Sequence, residues 1–199
     1  MRDLIPVNTQ YYSFRTGETL YGDGINRFPD IAQDDKFITS DYIYTFEENG
    51  WRVKVLDQDR TAYSVILNSV NGMKTISMER AFLNCSKLKV APAIPKSVTN
   101  LDTAFRGCKK LVEAPKIPDG VMDLLFTFSG CESMTTAPEI PKSVNHLQET
   151  FAGCTAMEGT LVCHANPTTY KEALYGTKIT AIEGSCSEKT KQRLMETKI

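Results

Sequence analysis

The sequence predicts an α/β solenoid: a short stack of like coils, with a β-rich segment before it and a helix after it. Three observations carry this. Phe82, Phe105, Phe128 and Phe151 stand 23 residues apart, as do Cys85, Cys108, Cys131 and Cys154. The position before each Cys holds Gly107, Gly130 and Gly153, or Asn84 in the first copy, the two residue types that best tolerate a left-handed backbone. A unit this small cannot bury its own apolar face, whereas stacked copies bury a continuous core between neighbours.

Residues 1–72 do not repeat. Residues 1–40 hold Pro6, several glycines and scattered aromatics without a clean period, and read as loops and short strands. Alternation in YIYTFE (42–47) and WRVKVL (51–56) around Asn49-Gly50 predicts a hairpin in which Tyr42, Tyr44 and Phe46 face Trp51, Val53 and Val55. AYSVIL (62–67) predicts a third strand that leads through Asn71-Gly72 into the first repeat. Solenoids need end caps, and this segment is the candidate for one, or else a functional unit in its own right.

Residues 73–183 hold the repeats, four clear and one degenerate. From Leu101 through Phe105 to Cys108 the steps are four and three, which predicts one face of a short helix or helical turn. The Gly just before the Cys predicts a positive φ at the end of that turn. The next stretch, with Ala91-Pro92, Ala114-Pro115 and Ala137-Pro138 and then Ile94-Pro95, Ile117-Pro118 and Ile140-Pro141, reads as extended chain. Its prolines withhold backbone donors, so any ladder there is thin. The fourth copy decays to TLVC (160–163), and a fifth keeps only Tyr170, Leu174 and Gly176. Successive coils about 4.8 Å apart set Phe on Phe and Cys on Cys. On this reading each Phe contributes about 1.5–3 kcal/mol of burial, and each Cys is a small apolar filler. Over residues 184–199, Ser187 caps a predicted helix in SEKTKQRLMETKI, with Leu194 and Met195 as its apolar contacts, closing the far end of the stack.

The residues AF..C..L and IP..V..L at this period resemble the BspA-type leucine-rich repeat of bacterial proteins, over about residues 73–182. The chain departs from that pattern in reading L..AP.IP. The resemblance implies a right-handed solenoid, binding in place of catalysis, and a setting either in bacterial surface adhesins or in proteins of phages and other mobile elements.

Composition narrows the function. With 23 basic and 24 acidic residues and a net charge of −1, the chain lacks the basic surplus that nucleic-acid binding needs. No apolar run is long enough to span a bilayer and the first residues do not read as a secretory signal, so a cytoplasmic setting is expected, or a host cytoplasm or virion if the chain is phage-borne. Neither CxxC nor HxxxH is present, so no zinc site is expected, and no cofactor. The stacked cysteines are expected as free thiols. Cys163-His164 is the one Cys–His adjacency, but neighbours in an extended segment point opposite ways, which argues against a nucleophile–base pair. His146 falls where other copies have Asn100 and Asp123, a capping or solvent-facing place. No enzyme is expected.

Two surfaces stand out for a protein partner. In copy three, Met122, Leu125 and Phe126 replace polar residues of the neighbouring copies. Such a cluster marks a contact surface, or a face covered by the N-terminal segment or by a second copy. The extended face varies at Lys89, Glu113, Lys116 and Glu139, a mixed polar set that names no ligand. The function expected is non-enzymatic protein recognition. Its alternatives are a phage- or mobile-element-encoded inhibitor of a host protein, and a self-associating structural subunit of a phage or cell-surface assembly.

Overall fold

The computed structural model describes residues 6, 8–22 and 29–199; of the region read as loops and short strands, 1–5, 7 and 23–28 lie outside the described residues. Alternating apolar residues build one seven-stranded sheet first. Its strands are β1 (Gln10–Tyr12), β2 (Thr19–Tyr21), β3 (Lys36–Ile38), β4 (Tyr42–Glu47), β5 (Gly50–Val55), β6 (Ser69–Val70) and β7 (Met73–Ser77), in the order β2-β1-β3-β4-β5-β7-β6. The hairpin register sets Tyr42 on Val55, Tyr44 on Val53 and Phe46 on Trp51, with Glu48-Asn49 as the two loop residues and Gly50 already in β5. Trp51, Tyr42, Tyr44 and Val53 are buried, as alternation requires.

The stretch 62–67 is not a strand. Side chains of β4 hold it instead: Tyr42 donates its hydroxyl to the Ser64 carbonyl at 2.6 Å, and the Leu67 N–H donates to the Tyr44 hydroxyl at 3.0 Å. Asp41 accepts the Ser64 N–H at 2.7 Å and an Arg60 guanidinium N–H. Alternation in 62–67 therefore marks a segment pinned by tyrosines, with Ile66 as its buried residue.

β7 joins this sheet to the coils. It runs parallel to β5 on one side, and its last residue, Ser77, bridges Asn100 on the other. Single-residue parallel bridges then continue from Asn100 to Asp123, His146 and Thr169, one per coil. The repeats are thus a solenoid-like stack whose ladder prolongs the N-terminal sheet. Phe82, Phe105, Phe128 and Phe151 stack face to face, with centroids 5.1, 5.5 and 5.8 Å apart and planes within 3°.

The arm carrying Leu, Phe and Cys is not helical, which corrects the α part of the expected α/β class. Ala104, Arg106 and Cys108 donate their N–H groups to the carbonyls three residues back, so the arm is three overlapping β-turns. Two residues per arm hold positive φ: Thr103 at 59° and Gly107 at 73° in this copy. A helix excludes both, and the remaining N–H groups go elsewhere. Leu101, Thr103, Phe105 and Gly107 donate to Asp123, Leu125, Thr127 and Ser129 of the next coil at 2.8–3.1 Å. The step of four and three is real, but it arises from turns that face one side.

β8 (Glu158–Val162) and β9 (Lys178–Glu183) form the last parallel pair, where the copies have lost their prolines. The register shifts there from 20 to 21 residues between Gly159 and Thr160. The chain ends in α1 (Glu188–Glu196), with Ser187 at the N-cap and Leu194 buried. Residues after it meet the last turn arm: Thr197 Oγ1 accepts the Leu174 N–H at 3.0 Å and the Lys198 carbonyl accepts the Gly176 N–H at 3.4 Å. No helix among the described residues is long and apolar enough to cross a membrane.

Candidate functional site

The prolines of the extended arm open a groove between coils. Pro92, Pro95, Pro115, Pro118, Pro138 and Pro141 have no N–H to give to a neighbouring coil. Among the described residues, the N–H groups of Ala93, Lys116 and Glu139, each beside a proline, also find no backbone partner. Coils bridged at Val90, Glu113 and Thr136 on one side, and at Asn100 and Asp123 on the other, are left open between. A groove of about 890 Å³ lies there, lined by Lys116, Ile117, Asp119, Pro138, Glu139 and His164 among others. A smaller one of about 560 Å³ lies one coil earlier, with Lys96 and again Lys116 and Asp119.

His164 closes the end of the larger groove. It stands in the column of Pro95, Pro118 and Pro141, one period beyond Pro141. The Ser185 N–H donates to its Nδ1 at 3.1 Å, so Nδ1 carries no hydrogen, and Nε2–H donates to Glu139 Oε1 at 2.9 Å. Ser185 Oγ lies 2.9 Å from the same Nδ1. Serine, imidazole and carboxylate thus lie in a row. Acyl transfer needs in addition N–H donors aimed at a developing oxyanion, and the Ser185 N–H is consumed by the imidazole. In this arrangement the trio ties together three successive coils, through Glu139, His164 and Ser185.

Of the residues singled out in the sequence, Lys116 and Glu139 line this groove, and Lys89 and Glu113 line a shallower hollow beside it with the exposed Val90 and Val112. Met122, Leu125 and Phe126 do not line it; Met122 stands just before the Asp123 bridge, and Leu125 and Phe126 follow it in the turn arm. Met122 is 50% exposed, while Leu125 and Phe126 are half-buried. Phe126 has φ 53° and lies under the Arg106 guanidinium, 5.2 Å from ring centroid to cation. Sequence reasoning missed His164, Ser185 and Asp119 as groove residues. Alignment at the repeat period places His164 in a proline column and is the signal for it. The shortened last coil hides Ser185.

The cysteine column is chemically quiet. Cys108, Cys131 and Cys154 direct their thiols to the carbonyls of Phe82, Phe105 and Phe128 at 3.1–3.2 Å. Burial pushes the thiols of Cys108 and Cys131 far above their ordinary range, and that of Cys154 up to about 12. No thiolate is available there at neutral pH. The sulfurs do more than fill space, since each adds a weak bond between coils. Asn100 and Asp123 accept the N–H two residues on, at 2.8 and 2.9 Å, and His146 instead reaches Thr169 Oγ1 at 3.0 Å. Among the described residues no cluster of three His, Cys, Asp or Glu side chains is placed to hold a metal ion.

No protein-family model matches the sequence, and no curated protein matches it. The chain is similar to two solved structures. One is a leucine-rich repeat protein of T. pallidum, 14% identical, covering 79% of this chain and 94% of its own, with a TM-score of 0.44. The other is a leucine-rich repeat protein from Bacteroides ovatus, 19% identical, covering 72% of this chain and 57% of its own, with a TM-score of 0.36.

Proposed function

We propose that this chain is a non-enzymatic protein-recognition module that takes its partner on the proline-lined face. The observation that carries this reading is the open space between coils two and three. Apolar walls from Ile117, Pro138 and Pro141 stand beside the exposed charges of Lys116, Asp119, Glu139 and Lys142. Apolar contact with a few fixed polar groups is what a recognition groove requires. The backbone N–H groups of Lys116 and Glu139 add donors that an extended segment of a partner can satisfy. The readings of the chain as a BspA-type leucine-rich repeat protein, and as a phage-borne inhibitor of a host protein, belong to this proposal.

Charge reversal tests it. Proteins captured from a bacterial lysate by the wild-type chain are expected to be lost by a Lys116→Glu/Glu139→Lys variant, and kept by a Lys171→Glu variant, whose change lies on the last turn arm. Equal capture by all three would contradict the use of this face. A saturable turnover lost on Ser185→Ala would contradict the non-enzymatic reading.

A further inference from the structure

Cys163 and Cys186 differ from the column cysteines. They stand 23 residues apart in the sequence. Cys163 bridges Ile140 in the line of Ile94 and Ile117, and because the register of the last coil is 21 residues, Gly184 lies beside Cys163 and Cys186 two residues further on. The last turn of the chain is pressed onto Cys163 at two places. At Gly184, with φ 101°, an added Cβ would stand 2.3 Å from the Cys163 carbonyl oxygen and 2.8 Å from its carbon, so only glycine fits. Two residues on, the Cys186 N–H donates to the same oxygen at 3.2 Å. Backbones this close bring the two Cα atoms into the span of about 4.4–6.8 Å that a disulfide bridges. Burial first, and the neighbouring Cys186 thiol second, push the Cys163 thiol up to about 12.

The other cysteines lack this arrangement. Cys108, Cys131 and Cys154 aim their sulfurs at carbonyls one coil back, and Cys85 receives the Tyr63 hydroxyl at 3.6 Å. Cys163 has only a long contact of 3.6 Å to the Ala165 carbonyl. Access differs within the pair as well: Cys163 is fully buried, while Cys186 keeps 5% of its surface open at the turn before α1.

We propose that Cys163 and Cys186 are a dithiol site that a small disulfide such as glutathione disulfide oxidises, locking the last turn and α1 onto the fourth coil. The Cys186 thiol loses its proton to solvent, and its sulfur attacks one sulfur of the oxidant. One glutathione thiolate leaves, and a mixed disulfide remains on Cys186. The Cys163 sulfur, deprotonated as the turn opens, then displaces the second glutathione. Two protons and two electrons leave the protein, two glutathione molecules form, and one S–S bond remains.

The test uses the folded wild-type chain. After incubation with glutathione disulfide, the chain is unfolded in N-ethylmaleimide and its peptides are mapped by mass spectrometry. The result expected is loss of two of the six thiols, with Cys163 and Cys186 in one linked peptide and a melting temperature that rises and falls back on reduction. A Cys186→Ser variant keeps all its remaining thiols under the same treatment. Six alkylated cysteines in the wild type, glutathione retained on Cys186, or a linkage among Cys85, Cys108, Cys131 and Cys154 would overturn the proposal.

Discussion

Arg80, Thr103, Phe126, Glu149 and Glu172 share one backbone position, the third residue of the first turn in each arm, with φ between 50° and 59°. A left-handed backbone costs a residue with a Cβ about 1–2 kcal/mol. In the first four the N–H of this residue donates to the next coil, as Glu149 does to the Lys171 carbonyl at 2.9 Å, and that bond offsets part of the cost. Glu149→Gly is therefore expected to raise the stability of the chain by up to about 1 kcal/mol in urea titration; an unchanged or lower midpoint would show the position to be unstrained. Gly130→Ala is the converse. Its Cβ would find the nearest atom 3.8 Å away, so only the conformation at φ 74° is penalised, by about 1–2 kcal/mol. At Cys131, alanine removes the sulfur and its bond to the Phe105 carbonyl, with an expected loss of about 1–2 kcal/mol. The native thiol should resist a disulfide reagent at pH 8 until the protein unfolds; rapid modification of the folded state would mean that it is not held protonated by burial.

At the level of elements, the prolines decide where strands form. Copies with proline pairs have single-residue bridges, and the copy without them forms β8 and β9. α1 depends on its first turn: Ser187 Oγ accepts the Thr190 N–H at 3.2 Å, and Asn166 Oδ1 accepts the Ser187 N–H at 2.9 Å. Ser187→Ala should cost about 1 kcal/mol and reduce the helical signal of the C-terminus in NMR shifts; an unchanged helix would place its stability in Leu194 alone. Much of this was legible in the residues. The Phe, Gly and Cys columns, the hairpin facing and the positive φ of Asn84 all follow from residue type and spacing. The second column of positive φ was not, because Arg, Thr, Phe and Glu carry no signal for it. Nor was the turn character of the arm, since overlapping β-turns and one helical turn put the same residues on one face. In the candidate site, Lys116 and Glu139 stood out as variable positions, but the groove between coils comes from donors that proline lacks, an absence with no pattern of its own.

Across the whole molecule, acid should act first where a carboxylate fastens one part to another. Burial alone would push the Asp41 carboxyl up, but hydrogen bonds from Ser64 and the Arg60 guanidinium hold it below its ordinary value of 3.8. A carboxyl depressed in the folded state adds stability above its unfolded value and loses it as the pH falls through the folded one. Below about pH 4 the loss of stability should accordingly be steeper in the wild type than in Asp41→Asn; parallel curves would remove Asp41 as the cause. The central claim is that successive coils are stitched through their turn arms and open along their prolines. Amide hydrogen exchange followed by NMR tests it most directly. The N–H groups of Phe105, Gly107, Phe128 and Gly130, bonded to the next coil, are predicted to exchange only through global unfolding, while those of Lys116 and Glu139 exchange within the dead time. Fast exchange in the turn arms, or protection at Lys116 and Glu139 to match, would contradict it.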